Sequence, residues 1–302
     1  MTAPLALSAK QIPDAPAFVG RKSGIVEILR ELWHARDLVM QFLKRDITIR
    51  YTQAVMGLAW ALLMPVLIVC SGLVFRLVVS TLSGTPVEST SVASLAIKAL
   101  PWAFFSGAIG LATQSIISHA NLIGKIYFPR ESLPIASVLA SAFDLLIGAA
   151  ALLIALPLLG VGASLALLWV PLIVALFLVF TIGCALMLSC WNLFYRDIKY
   201  IVQVVLNFGI FATPVFFEPQ MLGQQGSRIM MALPLSPFIQ ALDLAAVRGH
   251  SLLEPLLVES KKGVIEVWSP WMLAYMSLLA LLTFAVGLRV FRSASSRFAE
   301  LA

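Results

Sequence analysis

Between Asp144 and Arg196 the chain runs for 51 residues without a Lys, Arg, Asp or Glu. As one helix rising about 1.5 Å per residue, this run would extend about 77 Å, far beyond the roughly 30 Å hydrocarbon core of a bilayer. It has to turn, and Pro157, Gly160 and Gly162 supply the break. Four more charge-free runs punctuate the sequence: 25 residues between Arg50 and Arg76, 26 between Lys98 and Lys125, 18 between Lys199 and Glu218, and 22 between Glu266 and Arg289. A crossing helix needs about 20 residues. Six spans follow, near residues 55–79, 99–118, 133–157, 166–190, 200–217 and 270–289.

Composition narrows the class further. Of 302 residues, 60% are hydrophobic and 12% charged, about half the share of roughly 25% usual in a soluble domain. Too little polar surface remains to cover a soluble globule, so an ordinary soluble enzyme, a disordered chain and a secreted disulfide scaffold are excluded. Cys70, Cys184 and Cys190 all lie in apolar runs and are odd in number, which implies no disulfide framework. The expected fold is an all-α integral membrane protein with six transmembrane helices. Between Arg228 and Asp243 a further 14 uncharged residues contain Pro234 and Pro237. That stretch is too short and too broken to cross, and reads as a re-entrant outer segment between spans five and six.

The Lys/Arg bias sets the expected orientation. With both termini inside, the inner segments hold 15 of the basic residues and the outer segments six, giving net charges of +7 and zero. Both ends are therefore expected in the cytoplasm. The chain divides into a mobile cytoplasmic tail (1–23), an amphipathic interface helix (24–50) and a six-span domain (51–302). Residues 1–9 are mildly apolar, but Lys10, Pro13, Asp14 and Pro16 follow at once, which does not fit a secretory signal. In 24–50, Ile25, Ile28, Leu29, Leu32, Trp33, Val39, Phe42 and Leu43 recur at helical spacing, with Lys44, Arg45, Asp46 and Arg50 toward its end. Such a helix lies on the inner face with Trp33 at headgroup depth. A generic anchor and a cuff for a cytoplasmic partner fit this pattern equally.

Two short inner loops, NLIGKIYFPRES from Asn121 and NLFYRDIKY from Asn192, mix aromatic residues with an arginine and a carboxylate. They are too small for an active site; knobs inserting into another protein and plain interfacial anchors are both open readings. The outer segment 218–270 has no cysteine and one histidine, His250, so it holds no metal site of the usual ligand count. No Gly-rich phosphate loop is present, and no basic–aromatic patch suits nucleic acid. No cofactor is implied. Asp144 is the one ionisable residue expected deep in a span, either a proton relay or an interhelical hydrogen bond. Thr113, Gln114, Gln203 and Asn207 line a polar path or act as interhelical glue. Trp60, Phe211 and other aromatics near span ends form an interfacial belt or stack on sugar rings inside a conduit.

The run KRDITIRYTQAVMGLAWALLMPVL (Lys44 to Leu67) resembles the approach to the first span in ABC type-2 exporter permeases for polysaccharides and polyol phosphates. NLIGKIYFPRESLPIASVLASAFDLLIG (Asn121 to Gly148) is similar to their first inner loop and third span, including Asp144. LSCWNLFYRDIKYIVQVVLNFGIFATPVFF (Leu188 to Phe217) is similar to the fourth-to-fifth junction, and LRVFRSASSRFAEL to the basic tail. The stretch before Gly24 and the link His250 to Trp268 are longer than in that pattern.

The resemblance implies a permease that pairs with a second copy of itself, docks two separate ABC ATPase subunits, and moves lipid-linked polysaccharide of O-antigen, capsule or teichoic type across the bacterial inner membrane. It implies coupling to the ATPase through Lys125, Tyr127, Phe128, Pro129, Arg130 and Glu131, with Arg196 and Asp197 as a second element. It places the outer gate between Pro214 and about Gly249. Trp60, Gln203, Asn207 and Phe211 are the candidate path, and membrane lipids the further partner. The alternatives are an ABC type-2 permease for another amphiphile, such as a drug or lipid, and a membrane enzyme on lipid-linked sugars. The last needs clustered acids or a His/Asp pair that the sequence does not offer. A secondary transporter needs internal repeats and more than a lone Asp144.

Overall fold

The computed structural model describes residues 24–52, 57, 59–83, 89–123, 128–260 and 263–295. The tail expected over 1–23 lies outside them, as do Lys125 and Tyr127 of the first inner loop. Five helices are long and apolar enough to cross a membrane: α3 (Ala59–Ser83), α4 (Ser89–Ser118), α6 (Ser132–Leu158), α7 (Trp169–Phe194) and α11 (Trp271–Ala294). A 3-10 turn, Leu165–Leu168, leads into α7. The charge-free run breaks where its turn residues stand. Pro157 sits in the last turn of α6, and Gly160 follows at φ +82°, a conformation that costs glycine nothing.

The fifth expected span differs. Its helix, α8 (Ile198–Ala212), has 15 residues and rises only about 22 Å. Beyond it the chain turns through 213–217 into a bent pair, α9 (Gly223–Ala232) with its leading 3-10 turn from Pro219, and α10 (Ser236–Ala246), inclined at 110°. Leu233 is extended and Pro237 starts α10, so the two prolines make the bend rather than breaking one helix. Among the described residues the chain thus has five crossing helices, or six if the bent pair is taken as one span.

The segment expected as one interface helix over 24–50 is two helices, α1 (Ile25–His34) and α2 (Arg36–Thr52), meeting at Ala35. α1 is the amphipathic part: Ile28 is buried while Val26, Glu27 and Arg30 are exposed. The long link after the bent pair contains β1 (Leu256–Ser260) and β2 (Gly263–Trp268), an antiparallel hairpin. It adds the strand pair to an otherwise helical fold. Ile265, Val267 and Trp268 are buried, and the Trp268 indole Nε1 donates to the Leu252 carbonyl at 3.0 Å.

The helix α4 runs through the middle. Its Phe104 and Phe105 meet Phe177 and Phe180 of α7, and those meet Phe238 of α10, with ring centroids 5.3 to 6.1 Å apart. The helices α7 and α11 touch backbone to backbone at Gly183 and Gly287. By contrast α3 and α8 leave most of their apolar side chains uncovered, among them Met64, Leu67, Val204 and Phe208. The two ends of the bundle are distinct. One carries α1, α2, the short α5 (Ala120–Ile123), residues 128–131 and the end of α11; the other carries the bent pair and the hairpin.

Candidate substrate path and coupling end

A half-open groove of about 530 Å³ runs between α4 and α8. Its wall holds Ser106, Thr113 and Gln114 from α4, and Lys199, Tyr200, Gln203 and Asn207 from α8, with Gly107 and Gly110 leaving room between them. Helical spacing explains the set. Gln203 and Asn207 are four residues apart on one face, as are Ser106 and Gly110, so each helix contributes one polar stripe. Asn192 steadies this wall from behind: its buried amide nitrogen donates to the Thr113 carbonyl at 2.9 Å. Gln203 and Asn207, expected in a path, stand together here with Thr113 and Gln114. Trp60 and Phe211 do not join them. Trp60 lines a separate cleft of about 110 Å³ with Met64, Pro65, Ser141 and Asp144, while Phe211 packs on Phe216 at 5.4 Å.

Asp144 is not alone. The Arg50 guanidinium and the Tyr51 hydroxyl, both at the end of α2, donate to its two oxygens. The partner that a carboxylate inside a span calls for comes from outside the spans, at the end of α2. Arg45 donates to Asp46 at 3.1 Å and lies against His119 at the end of α4, and Ser137 of α6 donates to Asp46 at 3.5 Å. The helix α2 is thus fastened to α4 and α6. Trp33 is exposed with Arg36 over its ring at 5.3 Å, and Lys44 faces outward.

Phe128 is buried against Phe42, with centroids 5.7 Å apart. Arg130 donates to the Ser295 carbonyl at 2.5 Å. Glu131, 1% exposed, accepts from Arg292 at 3.4 Å, and Arg292 also donates to Glu31 of α1 at 2.6 Å. Burial raises the Glu131 carboxyl above its ordinary range, and the attraction of Arg292 offsets only part of that. Within the first inner loop, then, Pro129 and Arg130 are partly exposed while Phe128 and Glu131 face inward. In the second, Arg196 and Asp197 are both exposed.

At the opposite end the sequence reading missed a cluster. Lys98 and Asp243 are 0% exposed and 3.3 Å apart, and Arg76, Glu218 and Arg248 join them. Lys98 was expected before the second span, yet α4 begins ten residues earlier than that boundary and carries it inside. Burial pushes the Glu218 carboxyl up, but Lys98, Arg248 and Arg76 together outweigh it and hold it below the usual range. One signal was readable. Asp243 stands in the apolar run Phe238 to Val247, the same pattern that singled out Asp144.

A family model described as ABC-2 type transporter matches residues 37–245, which takes in α2 through α10 and both walls of the groove. The chain belongs to the ABC-2 type transporter family. It is a membrane subunit of a transporter rather than an enzyme. It is 25% identical over 253 residues to the O-antigen export system permease protein RfbA of Myxococcus xanthus, covering 81% of this chain and 94% of that protein. It is 24% identical over 277 residues to a protein of the same name from Klebsiella pneumoniae, covering 91% and 99%. A second Klebsiella pneumoniae protein of that name is 27% identical over 206 residues, covering 67% and 77%.

Proposed function

We propose that this chain is the permease half of an ATP-driven exporter of lipid-linked polysaccharide, of O-antigen or capsule type, in the bacterial inner membrane. The observation that carries the reading is the groove between α4 and α8. Its amides and hydroxyls offer hydrogen bonds to a hydroxyl-rich chain, inside a bundle whose other faces suit lipid. Similarity along almost the whole chain to permeases named for O-antigen export supports the same substrate class.

Two copies pair through the uncovered faces of α3 and α8, so that two grooves face one another. The end with α1, α2 and the tail of α11 is cytoplasmic, as the basic residues there require. Two ABC ATPase subunits dock at that end. Lys125, Tyr127, Pro129 and Arg130 meet them directly, and Arg196 and Asp197 form the second contact. Phe128 and Glu131 act through Phe42, Arg292 and Glu31. Closure of the ATPase pair moves this loop, and with it α1, α2 and α4. Two arrangements of the permease with different ATPase affinity supply the coupling. Asp144 serves to fix α2 rather than to relay protons, since both its oxygens accept hydrogen bonds from that helix.

The test is co-purification with an ATPase subunit, then hydrolysis measured with candidate glycolipids. Glycolipid-stimulated hydrolysis is expected. Stimulation by a drug or a simple lipid alone would replace the polysaccharide reading. Replacing Arg130 and Glu131 is expected to abolish export while the chain stays in the membrane; normal surface polysaccharide would count against the coupling role.

A further inference from the structure

The charged cluster at the hairpin end joins three elements. Arg76 of α3 donates to Glu218 at 3.0 Å. Arg248, just beyond α10, donates to Glu218 at 3.3 Å and to Asp243 at 3.2 Å. The Lys98 ammonium on α4 lies 3.3 Å from the same Asp243 oxygen. The partition is uneven: α3 and α4 supply only cations, while both carboxylates belong to the segment that bends back as α9 and α10. Lifting that segment off would leave the two cations of α3 and α4 behind and carry away two anions with only one cation, Arg248.

Packing alone does not call for such a cluster, because well-packed apolar side chains hold buried helices together at least as well. Buried ions instead specify the seating, because separating them leaves charges unpaired. The seating is also incompletely satisfied. Among the described residues, Asp243 Oδ1, Ser94 Oγ and both ends of the Gln240 amide are buried and find no hydrogen-bond partner, a state that favours exchange with a second arrangement. A cavity of about 440 Å³, walled by Ser94, Glu218 and Arg248, gives those side chains room to move. Finally, the 30 residues of α4 reach about 45 Å. Lys98 stands nine residues inside one end of this rod, about 32 Å along it from His119, which lies just past the other end against Arg45 of α2.

We infer that Lys98 and Asp243, completed by Arg76, Glu218 and Arg248, are positioning residues that seat the bent α9–α10 element on α3 and α4, so that α4 carries the closure at that end of the path. The inference rests on the transporter reading but not on the glycan. A displaced α4 moves Lys98 against Asp243 and loosens the seat. At rest the seat is closed and the path is shut to small solutes.

The test uses the full chain with its ATPase subunits in vesicles loaded with a small dye. Without ATP, Asp243→Asn and Lys98→Met are expected to release dye at least tenfold faster than the wild type, with ATP hydrolysis within twofold. Lys98→Arg should restore the tight state. A purely structural role would lower the amount of inserted protein without opening a leak. Wild-type release rates at normal abundance would overturn the inference. Arg248→Gln, whose side chain reaches the surface, should insert and leak about threefold; no leak there counts against the seat. Because dye release needs no glycan, failure of the polysaccharide assignment leaves this result readable.

Discussion

Replacing Gly183 by alanine puts the closest helix crossing under a direct load. A Cβ built there would lie 2.6 Å from the Phe284 nitrogen and the Thr283 carbonyl carbon, and one on Gly287 would lie 2.5 Å from the Gly183 carbonyl oxygen. Comfortable contact begins near 3.5 Å, so α7 and α11 would have to separate by about 1 Å. The atoms in the way are backbone and have no rotamer to change. Small residues at such crossings let membrane helices approach closely and supply the dispersion contact that holds them. Each Gly→Ala change should therefore cost about 1–3 kcal/mol, as overpacking generally does. The double variant should cost less than the sum, because one separation relieves both clashes. The buried Cys190 of α7 reports the event, since a thiol-reactive dye reaches it only when α7 opens, whereas the partly exposed Cys184 is blocked beforehand. With the exposed Cys70 blocked beforehand, the unfolding midpoint should fall by on the order of 5 °C. Gly162→Ala, whose Cβ meets nothing within 4 Å, is the control. A Gly183→Ala midpoint equal to that control would refute the account.

Three other outcomes are expected. Asp144→Asn and Arg50→Gln should each loosen α2, and a double-mutant cycle on the unfolding midpoint should return a coupling of about 1–2 kcal/mol; additive effects would mean the pair does not interact. Glu131 is more readily protonated in the fold than in the open chain, so its contribution is fully favourable at low pH. That contribution is lost as pH rises from the ordinary carboxylate range through the raised value; Glu131→Gln should flatten this dependence in thermal unfolding and raise the midpoint near neutral pH. Gln203→Leu with Asn207→Leu should cut glycolipid transport about tenfold at unchanged abundance, measured as surface polysaccharide per inserted chain.

The spans were legible because hydrocarbon is a strict solvent. The third, expected at 133–157, is α6 (Ser132–Leu158), and the last, expected at 270–289, is α11 (Trp271–Ala294). Charge placement misled where a helix continued past its apolar run. A boundary set by the charge-free run after Lys98 puts Lys98 outside the second span, although α4 starts earlier and its partner Asp243 makes its burial tolerable. The polar stripe of the groove was visible as Gln203 and Asn207 on one helical face. Which aromatic residues share it was not visible, because that depends on how α3 and α8 are rotated against α4. Asp144 was conspicuous, but its partners lie 94 and 93 residues away in sequence and depend on the fold of α2 back along α6.

The groove between α4 and α8 is open along one side, and this bears on how cargo is loaded. A closed ring would have to be threaded from a free end, which a polymer tethered to the bilayer by its lipid does not offer on that side. In the proposed pair of copies, a gutter whose missing wall is another gutter can accept such a strand sideways. In the proposed exporter the sugar would lie in the trough while the hydrocarbon anchor stays among its neighbours in the leaflet. Cargo length then ceases to matter for loading, and the same short trough serves a chain of a few sugars or of many.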